Sequence, residues 1–202
     1  MNQFDPAAAD LPIVEGIMTT LNVDGAANIA PMGPRVDREF RQFVLRPFTT
    51  STTYANLKRA GQGVFHVVDD VELLARAAVG DLNPHPPLVP ATRIEGRVLA
   101  DCCRWYELRV EQLDDRGERT TIQCRVETMG RKRDFFGFNR AKHAVVEAAI
   151  LATRIGIVPV EEITADFRRL AVIVDKTAGL QERRAFDFLQ RYIEAKLSQP
   201  RS

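Results

Sequence analysis

The N-terminal part of the chain alternates short apolar segments with turn residues. Ile13 to Leu21 is rich in β-branched residues and runs into Asn22-Val23-Asp24-Gly25, a sequence typical of a hairpin turn. The pattern predicts a return strand over Ala27 to Ala30, a third strand over Phe40 to Leu45 and a fourth over Val64 to Val68.

Two short helices are expected between these strands. Thr50 to Ala60 has helical spacing and is followed by Gly61, which suits a left-handed cap. Asp69-Asp70 is a capping sequence for a second helix over Val71 to Val79, which Gly80 closes.

Two longer stretches, 106–111 and 122–127, alternate apolar and polar residues on either side of the turn Asp114-Asp115-Arg116-Gly117. This alternation predicts an antiparallel hairpin with one face on the core and one face in solvent. The polar members of the first stretch are expected in solvent: Glu107, Arg109 and Glu111.

The pattern changes near residue 134, after which three stretches have helical spacing, near 140–155, 160–170 and 180–197. A parallel nucleotide-binding sheet would need a helix after nearly every strand, and this chain lacks that pattern. We predict a mainly β protein with α-helices (α+β), in which residues 1–134 form a small closed or partly closed barrel. Residues 135–202 are expected to form an appended helical part packed on the barrel and on a dimer interface.

Composition narrows the function classes. The 202 residues include 28 Lys and Arg against 27 Asp and Glu, so the formal charge is +1. This balance argues against a protein whose main task is to hold nucleic acid. The longest apolar stretch, 144–152, is too short to cross a bilayer. Because the chain also opens without a secretory pattern, we expect a cytoplasmic protein without membrane partners.

The first candidate site begins with Arg46 at a predicted strand end. Five consecutive hydroxyl residues, Thr49 to Thr53, follow it where a helix begins. A helix N-terminus offers free N–H groups and a positive dipole end, which suit a phosphate. A plain helix cap is the alternative, although a cap needs only one Ser or Thr.

The second candidate lies at the end of the predicted return strand. Its small residues and glycine would let a flat ligand approach the backbone closely, although such a stretch is also typical of a simple turn. The segment is Ile29-Ala30-Pro31-Met32-Gly33-Pro34-Arg35, and its candidate binding residues are Ala30, Pro31, Met32 and Gly33.

The third candidate surrounds the start of the first C-terminal helix. Asn139 can cap this helix, and Arg140, His143 and Glu147 share one polar stripe. The stripe is either a solvated helix face or, with Asn139, Arg140 and Lys142, part of a ligand or subunit boundary.

The sequence indicates neither a metal site nor a catalytic group. The histidines are isolated, and no His or carboxylate stands at metal-ligand spacing from Cys102, Cys103 or Cys124. Cys102 and Cys124 are expected in the core. We therefore predict no metal site and assign no catalytic residue.

Four segments in order resemble the domain-of-unknown-function 447 family, FMN-binding split-barrel proteins distantly similar to flavin reductases and pyridoxamine phosphate oxidases. The segments are Ile13-Val14-Glu15-Gly16-Ile17-Met18-Thr19-Thr20, Asn28-Ile29-Ala30-Pro31-Met32-Gly33, Arg46-Pro47-Phe48 to Leu57, and Phe138 to Arg154. His66 stands where a small polar side chain is expected.

The resemblance implies a homodimer with FMN near the subunit interface. In this sequence, Arg46, Thr50, Ser51, Thr52 and Thr53 would hold the FMN phosphate. Ala30, Pro31, Met32 and Gly33 would lie against the isoalloxazine ring, and Asn139, Arg140 and Lys142 would approach it from the helical part.

The implied function is an FMN-dependent oxidoreductase that passes hydride or electrons from a reduced nicotinamide to a small acceptor. Because flavin supplies the redox chemistry, no acid–base constellation is required. The alternative is a non-catalytic module that binds, stores or senses a flavin or deazaflavin F420.

Overall fold

A computed structural model describes residues 10–198 of the chain, which divides into two compact units. Within the described residues, the barrel unit comprises 10–68 and 86–134, and the helical unit comprises 69–85 and 135–198. In this division the segment 69–85 groups with the later helices rather than with the strands on either side of it.

The described part of the barrel unit contains one helix, α1 (Thr52–Ala60), and nine strands. The strands are β1 (Gly16–Leu21), β2 (Ala27–Met32), β3 (Arg35–Val36), β4 (Gln42–Leu45), β5 (Gln62–Val67), β6 (Leu88–Pro90), β7 (Arg97–Leu99), β8 (Arg104–Asp114) and β9 (Thr121–Arg131).

Seven strands form one curled antiparallel sheet in the order β2-β1-β5-β8-β9-β4-β3, and β6 pairs with β7. The concave core is filled by fully buried side chains that include Met18, Phe43, Phe65, Leu108 and Ile122. The predicted fold class, a mainly β half-barrel with added helices, is confirmed.

The β8–β9 hairpin corrects one prediction about burial. Glu107 was expected to face solvent, yet it is fully buried. Its carboxylate accepts hydrogen bonds from the N–H groups of Thr92, Arg93 and Ile94 and from the Thr92 hydroxyl, at 2.6–3.2 Å. The segment 92–94 therefore covers a strand face that alternation alone predicts to be exposed, and its N–H groups make burial of the charge tolerable.

Phe40 was predicted to begin the third strand, but in the structure it lies before β4. Its φ of 54° is left-handed, whereas β4 begins only at Gln42. Its ring nevertheless stacks on Tyr106 with the centroids 5.3 Å apart. The apolar pattern identified a core residue here but not its backbone conformation.

The helical unit consists, in its described part, of α2 (Val71–Val79), α3 (Arg140–Ala152), α4 (Val160–Thr177) and α5 (Leu180–Leu197). Asp70 caps α2 and Gly80 ends it with a φ of 74°, both as predicted. α2 buries Leu74 and Ala75 and contacts α3 and α5, which explains why 69–85 belongs to this unit. Across residues 10–198, every helix is too short or too polar to span a bilayer.

Candidate functional site

The first turn of α1 forms one wall of the candidate site. Ser51 caps the helix: its hydroxyl oxygen accepts from the Tyr54 N–H at 3.2 Å, and the hydroxyl donates to the Phe48 carbonyl. The first intrahelical bond runs from the Ala55 N–H to the Ser51 carbonyl, so the N–H groups of Thr52 and Thr53 have no acceptor within the helix and lie at the positive end of its dipole. The hydroxyl run thus supplies both the expected cap and free backbone donors.

A polar network fixes α1 against the sheet. Thr53 Oγ1 accepts from Asn28 Nδ2 at 3.1 Å, and Thr20 Oγ1 accepts from both Asn28 and Asn56. Thr53 and Asn56 are buried, so these bonds hold the start of α1 in one position relative to β1 and β2.

A cavity of about 420 Å³ opens beside this helix start, within the barrel unit. Two of the predicted segments meet in its wall, through Arg46, Ser51, Thr53, Ala30, Pro31, Met32 and Gly33. Thr50 and Thr52 are exposed, and their side chains lie outside this lining. The volume is in the range of small-molecule sites in proteins.

Gly33 lies close to two side chains of the segment that precedes β1. A Cβ at this position would lie 2.8 Å from Ile13 Cγ2 and 2.9 Å from Glu15 Oε1. A larger residue at this position would displace the Ile13 or Glu15 side chain, and Ile13 also lines the cavity.

The charged residues in the described lining are all arginines, namely Arg35, Arg46 and Arg119. Arg35 follows the predicted ring-contacting segment, and Arg119 lies more than seventy positions beyond Arg46 in the chain. Arg119 was not predicted, because its position in the hairpin loop carries no local signal. Three guanidinium groups beside a helix N-terminus favour an anionic ligand.

The third predicted segment has a different environment, entirely within the helical unit. Asn139 caps α3 by accepting from the Lys142 N–H, and its amide donates to the Thr177 carbonyl. Lys142 Nζ lies 2.7 Å from both the Asp69 carbonyl oxygen and Glu182 Oε1, and 3.2 Å from Gln181 Oε1. All three ammonium donors therefore have acceptors inside this unit.

Of Asn139, Arg140 and Lys142, only Arg140 is exposed. Asn139 and Lys142, in contrast, make the bonds that join α3 to neighbouring parts of its own unit. The structure gives these two side chains hydrogen-bond partners within their own unit.

His66 has a structural environment. Its Nδ1 lies 3.1 Å from the Ile17 carbonyl, and its Nε2 accepts from the Leu99 N–H at 3.1 Å. These partners fix one neutral tautomer with the proton on Nδ1. Burial lowers the pKa of His66 to about 4, against the opposing effect of the bond to Ile17.

The cysteines are core residues, as predicted for Cys102 and Cys124. Burial raises the pKa of Cys102 to about 11 and that of Cys124 to about 12, so both remain thiols at neutral pH. Among residues 10–198, no three His, Cys, Asp or Glu side chains are grouped as a metal site would require.

Comparison with protein families identifies the chain's relatives. Residues 14–133 match the N-terminal domain of the protein of unknown function DUF447, and residues 139–191 match a second DUF447 domain. The chain belongs to the DUF447 family. The predicted resemblance is thereby confirmed.

Solved structures share the fold of this DUF447 chain. An FMN-bound DUF447 protein from Methanosarcina mazei has a TM-score of 0.78 at 22% identity, covering 90% of this chain and 95% of that chain. A 2-nitrobenzoate 2-nitroreductase from Pseudomonas fluorescens has a TM-score of 0.53 at 21% identity, covering 60% and 66%. An NADH:FAD oxidoreductase from Streptomyces globisporus has a TM-score of 0.50 at 13% identity, covering 65% and 82%.

These TM-scores, at 13–22% identity, show a shared fold. The search among curated proteins found no match.

Proposed function

We propose that the chain binds FMN in the barrel-unit cavity and acts as an oxidoreductase, passing hydride or electrons from a reduced nicotinamide to a small acceptor. The observation that carries this proposal is the convergence of Arg46, the start of α1 and Ala30 to Gly33 on one cavity. An FMN-bound family member and an NADH:FAD oxidoreductase of the same fold support it.

The residues present fit FMN. The N–H groups of Thr52 and Thr53, together with Arg46, match a terminal phosphate in both charge and donor type. Pro31, Met32 and Ile13 provide apolar surface for a planar ring. The ring-side and phosphate-side groups belong to one unit, so a single ligand can contact both.

The residues of the chain contribute contacts that bind the ligand and a positive electrostatic potential. The arginines raise the positive potential of the cavity, which stabilises negative charge on a phosphate and on a reduced ring. Bound FMN supplies the two-electron chemistry. The apolar wall keeps water from the ring face that it covers.

A non-catalytic flavin or deazaflavin carrier is the second candidate. The observation that favours it is the absence of a proton-exchanging side chain from the described lining, where arginine is the only ionisable type. A store or sensor needs no proton exchange, and F420 also has a phosphate and a planar ring.

The homodimer is a further part of the proposal. Phe136 and Phe138 are exposed by 74% and 96%, and exposed aromatic groups of this kind favour a subunit contact. Sedimentation velocity should show a dimer at micromolar concentration, and a monomer there would contradict this part.

Absorption spectroscopy tests cofactor binding. The purified protein should be yellow and release FMN on denaturation, or should take up added FMN with a shifted visible spectrum. Arg46→Ala should weaken FMN binding by about 10- to 100-fold, because it removes a charge-assisted contact. A protein that neither contains nor takes up FMN contradicts the proposal.

Turnover separates the two candidate functions. Protein loaded with FMN should be reduced anaerobically by NADH or NADPH faster than free FMN, and oxidised again by an added acceptor. Reduction no faster than that of free FMN, despite tight binding, would instead identify a carrier or sensor.

A further inference from the structure

The loop that joins β8 to β9 packs directly on the segment that leads into α1. The Thr49 N–H donates to the Glu118 carbonyl at 3.1 Å, and the Thr120 N–H donates to the Pro47 carbonyl at 3.0 Å. The Thr120 hydroxyl donates to the same carbonyl, and Thr120 is fully buried. This pairing places Arg119 opposite Phe48.

The guanidinium of Arg119 is held in a defined position. It lies over the Phe48 ring, 4.0 Å from the centroid, and its Nη1 donates to the Arg46 carbonyl at 3.4 Å. Stacking uses the flat face of a guanidinium and leaves its edge donors for a further partner. Phe48 also ties this arrangement to the helix, because its carbonyl accepts from the Ser51 N–H and hydroxyl.

A second contact anchors the same loop to α1. The Tyr54 hydroxyl donates to Asp115 Oδ2 at 2.6 Å, and Lys58 Nζ donates to the same oxygen at 2.7 Å. Tyr54 and Lys58 are separated by one turn of α1. The loop is therefore attached both before and within the helix, so the position of Arg119 follows that of the helix start.

We infer that Arg119 is a second phosphate-binding residue and selects flavins that carry a terminal phosphate over flavins that lack one. This inference rests on the proposed function. A phosphate monoester carries nearly two negative charges at neutral pH, and one guanidinium balances only one of them. Arg119 lines the cavity with Arg46 and is connected to its main chain, which gives the dianion a second cation.

The test measures FMN and riboflavin affinities by flavin-fluorescence titration of the apoprotein. Arg119→Ala should weaken FMN binding by about 10- to 100-fold and leave riboflavin binding within about 2-fold. Arg119→Lys should recover part of the loss, since it keeps the charge but not the fork.

Arg116→Ala is the matched control. Arg116 lies in the same loop and carries the same charge, but it is 80% exposed and pairs with Asp114 outside the cavity lining. It should leave both affinities unchanged, which separates a local contact from the general charge of the loop.

Several results would overturn the inference. Unchanged FMN binding in Arg119→Ala would exclude the contact, and an equal loss for FMN and riboflavin would show a structural role. A comparable FMN loss in Arg116→Ala would show that only overall charge matters. If Arg119→Ala does not fold, Arg119→Lys and Arg119→Gln carry the same comparison. Wild-type protein that fails to bind FMN would instead contradict the proposed function itself.

Discussion

The helix starts of α1 and α3 look alike in sequence but differ in what their polar groups contact. Ser51 and Asn139 both accept a hydrogen bond from the N–H group three positions later. At α1 the surrounding residues line a cavity with three arginines. At α3 the nearby Lys142 is bound by acceptors of its own unit. A polar helix start therefore indicates a cap, and it indicates a ligand site only where donors remain unused.

The largest effect is expected at Lys142, because its ion pair with Glu182 is buried. Lys142→Met should lower the free energy of unfolding by about 3–5 kcal/mol, since it leaves the Glu182 carboxylate without its cation. FMN affinity should stay within about 2-fold of wild type under conditions where the variant is folded. Urea unfolding and FMN titration measure the two effects separately.

Two controls sharpen this result. The double variant Lys142→Met with Glu182→Leu should recover much of the stability, because it removes both buried charges. Arg169→Ala, which breaks an exposed pair with Asp166 in the same unit, should cost about 0.5 kcal/mol or less. If Lys142→Met lost FMN binding without losing stability, Lys142 would be a ligand contact rather than a stabilising partner of Glu182.

Acid should destabilise the two units over different pH windows. Unfolded His66 gains a proton near pH 6.5, whereas folded His66 gains one only near pH 4. Its contribution to stability is complete above pH 6.5 and is lost as the pH falls toward 4. The loss amounts to about 3 kcal/mol.

Glu182 responds at lower pH. Burial raises its pKa, but hydrogen bonds from Lys142, its own N–H and the Gly179 N–H outweigh burial and hold the pKa below 4.5. Its stabilisation is present above pH 4.5 and is lost only below that value. Hydrogen exchange followed across these windows should therefore show weaker protection around β5 before α3 and α5 are affected.

His66→Gln is the control for this pH dependence, since glutamine does not titrate. The variant should show a flatter stability profile between pH 6.5 and 4. An unchanged slope would mean that another group causes the acid sensitivity.

The smallest effect distinguishes the two caps. Ser51→Ala and Asn139→Ala should each cost about 1 kcal/mol of stability, because each removes a helix cap. Only Ser51→Ala should also weaken FMN binding, since Ser51 lines the cavity. Thermal unfolding and FMN titration of the pair test this, and equal FMN affinities would remove Ser51 from the binding site.

Local signals predicted the parts of the fold that depend on local contacts. Gly61 and Gly80 end their helices with left-handed φ values, and the turn near residue 115 joins two antiparallel strands, as the sequence indicated. Glu107 was misplaced because its partners lie in segment 92–94, whose position depends on tertiary folding.

The candidate site was predictable where its residues follow one another in the chain. Arg46 and Ser51 share a recognisable strand-to-helix segment, whereas Arg119 enters through strand pairing with a distant part of the sequence. Sequence does not show that Glu182 lies beside Lys142, so this ion pair could not be predicted. The residue types indicated an anionic ligand. The structure was needed to show which polar side chains already have hydrogen-bond partners within the chain.

A crystal structure of the chain with FMN would test the central claim most directly. We predict that the phosphate lies within hydrogen-bonding distance of the Thr52 and Thr53 N–H groups and of the Arg46 guanidinium, with the ring against Ala30 to Gly33. A phosphate held elsewhere, with these groups facing only solvent, would contradict the account.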